Sequence, residues 1–254
     1  MNPRPSVEAL LRFYREKDNH ESERGLAGVL KAEEEYPNAT TDAERMLRSI
    51  RALDRTAEPK RLLDIGAGYG FFSRAAKGYQ VTAIEACPRA GKIAEKVSGV
   101  LPLPVSFEEY SSEEGQFSAV LMSQVLEHSH DVQLWISKAA RLLKRGGVLA
   151  IALPSFSSIF RLLLNEREAY ICPPEHLNFF SRRCLSALLA QNGLKVRSVN
   201  YVSRIPRMAI QKRFPFLGAI GVHASWLAAT AILRAVDTMN LGMMLNVYAT
   251  KECD

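Results

Sequence analysis

From Lys60 onward, short apolar runs alternate with amphipathic stretches, and glycine or proline marks most of the breaks. The runs at 61–66, 80–85, 117–123 and 147–153 are mainly apolar, the pattern of strands buried on both faces. Between them the spacing predicts helices near 70–77, 88–97 and 131–144. The last of these carries Val132, Trp135, Ile136, Ala139, Leu142 and Leu143 on one face, with Asp131 as its cap. A short strand is expected near 103–107. Beyond Pro154, a helix near 181–191 stops at Gly193, a strand follows at 194–202, and a last strand runs over 243–251. Strands alternating with helices imply a parallel sheet, with ligands held outside the strands' C-terminal ends.

The first 58 residues read as helices instead. Val7, Leu10, Leu11 and Tyr14 recur at helical spacing, and Thr41-Asp42 caps a second helix carrying Met46, Leu47, Ile50 and Leu53. The charged run from Arg15 to Arg24 between them reads as a solvated face or a mobile loop. Residues 214–233 hold no Asp, Glu, Lys or Arg, and Lys212-Arg213 and Arg234 flank them. Twenty such residues can cross a bilayer. Pro215, Gly218, Gly221 and His223, and a position between two sheet strands, favour a packing or substrate-cavity helix, with membrane-surface attachment and then a true span as the alternatives. The organisation expected is a helical extension over 1–58 and one α/β domain over 59–254, with a helical insertion near 205–240.

Candidate chemistry begins at Arg61-Leu-Leu-Asp64-Ile-Gly66-Ala-Gly68-Tyr-Gly70, followed by Val81-Thr-Ala-Ile84-Glu85. This is a strand, a glycine turn into a helix, and a second strand ending in an acid. The glycines let the backbone turn sharply and let a ligand come close. Glu85 stands where a carboxylate can grip a ribose diol, so an adenosine-type cofactor leads. A dinucleotide site would carry a third glycine where Phe71 stands, and an apolar residue where Asp64 stands. An acid there suits a cationic ligand such as S-adenosylmethionine, which has a sulfonium and an ammonium but no phosphate.

These residues resemble the class I S-adenosylmethionine-dependent methyltransferases, closest to the subgroup of ubiquinone-biosynthesis O-methyltransferases and small-molecule and sugar methyltransferases. Three further segments are similar to that family in the expected order: Phe117 to His128, Arg141 to Pro154, and Pro174-Glu175-His176-Leu-Asn178-Phe-Phe180-Ser181. The resemblance implies a Rossmann-like fold with a seven-stranded, mostly parallel sheet whose last strand is antiparallel. It implies that the N-terminal helices form part of a substrate lid, with packing against the sheet as the alternative. It also implies S-adenosylmethionine as cofactor, held by Asp64, Gly66, Gly68, Gly70 and Glu85. Phe107 or Glu108 stands on the adenine side, and Met122 and Ser123 line the methionine channel.

Methyl transfer to a hydroxyl needs alignment and removal of a proton. His128 and His176 lie on loops at strand C-termini, and His176 is the preferred base, with Pro173, Pro174 and Phe179-Phe180 around it. Either ring can instead pin its loop. Glu127, His128, His130 and Asp131 sit too close in sequence to converge on one ion, so capping and solvated charge are expected there and no metal site, Glu127 as a lone Mg²⁺ ligand being the exception. Among the 254 residues, 47% hydrophobic and 24% charged is an ordinary globular balance. The net charge of +6 is scattered in short basic pairs, which points away from nucleic acid and toward a small-molecule acceptor. Cys87, Cys172, Cys184 and Cys253 show no C-x-x-C spacing, and no signal sequence is read at the N-terminus, so a cytoplasmic or peripheral-membrane location is expected.

Overall fold

In the computed structural model, β1 (Arg61–Ile65), β2 (Gln80–Ile84), β3 (Phe117–Ser123), β4 (Leu143–Pro154), β5 (Leu194–Val202) and β6 (Met244–Lys251) form one sheet, ordered β2-β1-β3-β4-β6-β5. The described residues are 25–168, 170–172 and 175–252, with a few isolated positions before residue 25. The expected helix around Val7, Leu10, Leu11 and Tyr14, the run 15–24, Pro173, Pro174 and Cys253 lie outside them. Strands β2, β1, β3 and β4 are parallel, and β6 runs antiparallel between β4 and β5.

The described residues form six strands where seven were expected. At the missing position a single parallel bridge joins Ile84 to Leu103, with the amide of Glu85 donating to Leu103 at 3.0 Å. Pro102 and Pro104 flank Leu103 and supply no amide hydrogens, so the ladder cannot extend.

The helices are α1 (Gly25–Glu35), α2 (Asn38–Leu53), α3 (Phe71–Ala75), α4 (Pro88–Ser98), α5 (Val132–Leu142), α6 (Ile159–Leu164), α7 (Arg182–Gln191), α8 (Arg207–Arg213) and α9 (Ala219–Thr238). Strand periodicity assigns them to layers. Leu62, Ala119, Leu121, Val148 and Ala150 point to one face, where Met46, Leu47 and Ile50 of α2 cover them. Leu63, Ile65, Val120, Leu149 and Ile151 point to the other, against Trp135 and Ile136 of α5 and Leu185 and Leu189 of α7. Burial on both faces explains why β3 and β4 read as nearly unbroken apolar runs.

Caps follow two rules. Asp131 caps α5 as expected, its Oδ1 accepting from the Leu134 amide at 2.9 Å. Helix α2 begins at Asn38, ahead of Thr41-Asp42, because its cap is borrowed. The Glu33 carboxylate reaches from α1 to accept from the amides of Ala39 (3.2 Å) and Thr40 (2.6 Å). Asp42, just past the first turn, pairs with Arg45 at 2.6 Å and with Arg204.

Gly70 opens α3 at φ +80°, and a Cβ there would sit 2.9 Å from the backbone of Ala94 in α4. Its place is helix packing, and it lines neither of the cavities described below. Gly70→Ala therefore combines left-handed strain with a backbone clash and should cost roughly 3 kcal/mol in urea denaturation. A loss below about 1 kcal/mol would mean that α4 yields freely.

Candidate active site

The strand order reverses between β1 and β3, and the crevice at their C-terminal ends is where such sheets hold ligands. A cavity of about 550 Å³ opens there, lined by Gly66, Gly68 and Tyr69 after β1, by Glu85 to Cys87 after β2, and by Ser123 to Val125 after β3. Gly66 (φ +65°) and Gly68 (φ +53°) turn the loop over the strand ends. A Cβ on Gly66 would meet Val125 at 2.7 Å, so the loops after β1 and β3 are pressed together. Around Gly68 there is open space.

Glu85 fastens this loop. Its Oε2 accepts from the Gly68 amide at 2.8 Å and its Oε1 from the Cys87 amide at 2.9 Å. Burial pushes its carboxyl up against the opposing pull of those two amides. Asp64 is buried beneath the loop, and its Oδ2 accepts from the Ser73 hydroxyl at 2.7 Å. Burial pushes it up to about 6; the Ser73 bond opposes this and the charge of Glu85 adds to it.

On the side expected for adenine, Phe107 and Glu108 both line the cavity. The Phe107 ring meets Trp135 edge-on at 5.2 Å, and Trp135 Nε1 donates to Glu108 Oε1 at 2.9 Å. Lys138 lies 4.8 Å above the Phe107 ring and donates to the Phe107 carbonyl at 2.6 Å. Of the pair expected at the end of β3, Ser123 lines the cavity, whereas Met122 does not. Strand alternation turns Met122 into the core with Leu63 and Val120, fully buried. Gln124, which sequence reasoning did not single out, lines the cavity at φ +55°, a backbone strain of the kind held at functional sites.

Two distant segments meet at the cavity's other end. His128 ends a short 3-10 turn (Leu126–His128), and His176 comes from the segment after α6. The backbone carbonyl of Glu127 accepts from the amides of Leu177 (2.9 Å) and Asn178 (3.0 Å), which binds the two segments together. His128 Nδ1 contacts the Glu175 carbonyl at 2.7 Å, and His176 Nδ1 contacts the Tyr170 carbonyl at 2.7 Å. A carbonyl only accepts, so each Nδ1 carries a proton, and in the neutral tautomer Nε2 is the acceptor nitrogen. The rings sit edge to face at 4.8 Å. Of their expected neighbours, Phe180 is in the core and Phe179 is partly exposed against Phe156; neither lines the cavity, while His130 does.

Glu127 corrects the expectation of solvated charge. It is buried, and neither carboxyl oxygen has a hydrogen-bond partner among the described residues. Burial pushes its carboxyl up to about 8, against its own backbone amide. The ligand atoms of Glu127, His128 and His176 lie within 4.8 Å of one another, because the third donor comes from another segment. One carboxylate and two imidazole nitrogens fit a divalent cation as well as a shared proton. No local pattern marks Glu127; the only signal is an acid directly after the apolar pair Val125-Leu126 at a strand end.

A second cavity, of about 660 Å³, shares Gly66, Gly68, Ser123 and Gln124 with the first. Asp64, Val29 of α1, Tyr36 just after it, and Pro206, Met208, Ala209 and Lys212 around α8 contribute to its wall.

Folded protein keeps the Glu127 proton up to about pH 8, whereas the unfolded chain gives it up near its ordinary value of 4.5. The native state thus binds more protons in that window, and stability falls as pH rises through it. In EDTA-treated protein, Glu127→Gln should flatten the loss of denaturation free energy between about pH 6.5 and 8. Parallel profiles for the two proteins would mean that Glu127 ionises freely.

Comparison with known proteins places this geometry. A family model described as "Methyltransferase domain" matches residues 39–199, more than half of the chain. An uncharacterised protein of Methanocaldococcus jannaschii is 29% identical over 164 residues, which cover 64% of this chain and 78% of that one. The ubiquinone biosynthesis O-methyltransferase of Xanthomonas campestris pv. campestris is 37% identical over 100 residues, 36% of this chain and 42% of the enzyme, so the match spans less than half the enzyme's length. Among solved structures, Haemonchus contortus phosphoethanolamine N-methyltransferase 2 in complex with S-adenosyl-L-methionine aligns with TM-score 0.59 at 16% identity, covering 96% of this chain and 60% of that one. By the family match and the shared Rossmann-like fold, the chain belongs to the methyltransferase-domain family and is an S-adenosylmethionine-dependent methyltransferase.

Proposed function

We propose that the protein methylates a hydroxyl oxygen of a small molecule. The observation that carries this reading is His176, whose Nδ1 proton is committed to the Tyr170 carbonyl, which leaves Nε2 as the acceptor nitrogen of a ring that lines the cavity. Bound S-adenosylmethionine supplies an activated methyl group.

The chain's residues do the rest. Glu85 retains lone pairs beyond the two amide bonds, enough to accept from ribose hydroxyls. Gly68 keeps the loop's surface flat, Phe107 and Glu108 bound the base, and Ser123 borders the methionine end. Asp64 steadies the loop through Ser73 and sets a negative centre near a cationic ligand. His176 Nε2 takes the acceptor's proton as its oxygen attacks, with the His128 ring edge to face beside it. The second cavity, joined to the first at the glycine loop, gives the acceptor room. A neutral amine acceptor already has a nucleophilic lone pair and would depend far less on such a base.

His176→Ala should lower kcat by about 10²–10⁴-fold with cofactor Kd, read by calorimetry, within about threefold of the parent. An unchanged kcat would remove His176 from the chemistry and favour an amine acceptor or a catalytically silent subunit.

Gly68→Ala should do the reverse, weakening cofactor binding about tenfold or more while the protein remains folded. The acceptor itself is reached by incubating the protein with methyl-labelled S-adenosylmethionine and cell extract, then identifying the labelled product by mass spectrometry. An O-methylated small molecule is expected; label on nitrogen, RNA or protein would overturn the assignment.

A further inference from the structure

Helix α9 is twenty residues long with a mean hydropathy of 1.4 over its apolar window, and only 11% of that window is buried. Its uncovered face continues from the preceding turn: Phe216 is 79% exposed, Ile220 87%, Leu227 50% and Ile232 64%. At 1.5 Å per residue the helix is about 30 Å long, and Ile220 to Ile232 spans about 18 Å of it. A soluble surface does not usually leave such a stripe bare.

Two anchors hold α9 flat on the protein. Trp226 Nε1 donates to the Ile205 carbonyl at 2.9 Å, and Asp237 accepts from the Ser203 amide and hydroxyl at 3.0 and 2.6 Å. Val202 and Met244, which bracket this segment, are paired neighbours in the sheet. The helix is therefore tethered at both ends to one edge and lies along the surface.

Charge selects the occupant. Helices α8 and α9 carry three Arg and one Lys against one carboxylate, Asp237, which is bonded to Ser203. Arg207, Lys212, Arg213 and Arg234 belong to the stripe's own helices or border them, Arg207 stacking on Trp226 at 4.4 Å. We propose that this face is an interfacial anchor for an anionic lipid surface, with the apolar stripe in the headgroup boundary and the basic residues on the lipid phosphates. The assignment is independent of the acceptor proposed above.

Vesicle sedimentation tests it without any catalytic readout. The full-length protein should pellet with phosphatidylcholine vesicles containing about 30% phosphatidylglycerol at least tenfold more strongly than with phosphatidylcholine alone. Ile220→Glu/Leu227→Glu and Arg213→Glu/Arg234→Glu should each lose about tenfold or more of that binding, while cofactor affinity by calorimetry is unchanged. Failure of the parent protein to pellet with either vesicle, or equal pelleting by all variants, would overturn the proposal. So would ultracentrifugation showing a dimer that Ile220→Glu/Leu227→Glu dissociates, because the stripe would then be covered by a second copy.

Discussion

A parallel sheet covered by helices on both faces leaves only its strand ends for chemistry. Here α2 seals one face and α5 with α7 the other, so the cavity is built at the strand ends and from the loops that follow them. The order β2-β1-β3 parts the loops after β1 and β3 and makes the crevice. Its two walls are not independent, since Gly66 admits Val125 closer than any side chain would allow. The cavity's shape is thus a product of core packing rather than of flexible loops, which is what preorganised binding requires.

Three carboxyl groups are gathered at that edge, and burial pushes each of them up: Asp64 to about 6, Glu127 to about 8, and Glu85 in the same direction. Buried acids without cationic partners are costly, and holding a proton relieves part of the cost. A ligand bearing a sulfonium and an ammonium changes that balance, because a nearby positive charge favours the ionised acid. An NAD-type pyrophosphate would aggravate the charge instead. The electrostatics therefore discriminate between cofactors before any contact is counted, in keeping with the family to which the chain belongs.

Those parts of the fold set by period and capping were legible in the chain. Strands β3 and β5 occupy the ranges read from apolar patterning, and Asp131 caps α5 as its position before the helix implies. The expectations that failed depended on neighbours remote in sequence. Leu103 lost its strand to flanking prolines, Met122 turned inward by alternation, and Gly70 serves Ala94 rather than the cavity. Glu127 was read as solvated because nothing beside it hides it. Its environment is made by residues 175–178, about fifty positions away, folding over the turn and bonding to its carbonyl. Convergence of that kind leaves no periodic trace in a single chain.

The segment 203–243 shows how such a site gains new properties without disturbing the sheet. Strands β5 and β6 pair along their length, so the chain leaves at Val202 and returns at Met244 beside it. Loop-closure entropy grows slowly with length, and a long excursion between already adjacent ends therefore costs the fold little. Helix α8 shares in two surfaces at once: Met208, Ala209 and Lys212 border the second cavity, while its packing partner α9 carries the bare apolar stripe. Helix α8 is thus one short element that touches both surfaces, and the second cavity it borders also reaches Asp64, Gly66 and Gly68 at the end of β1.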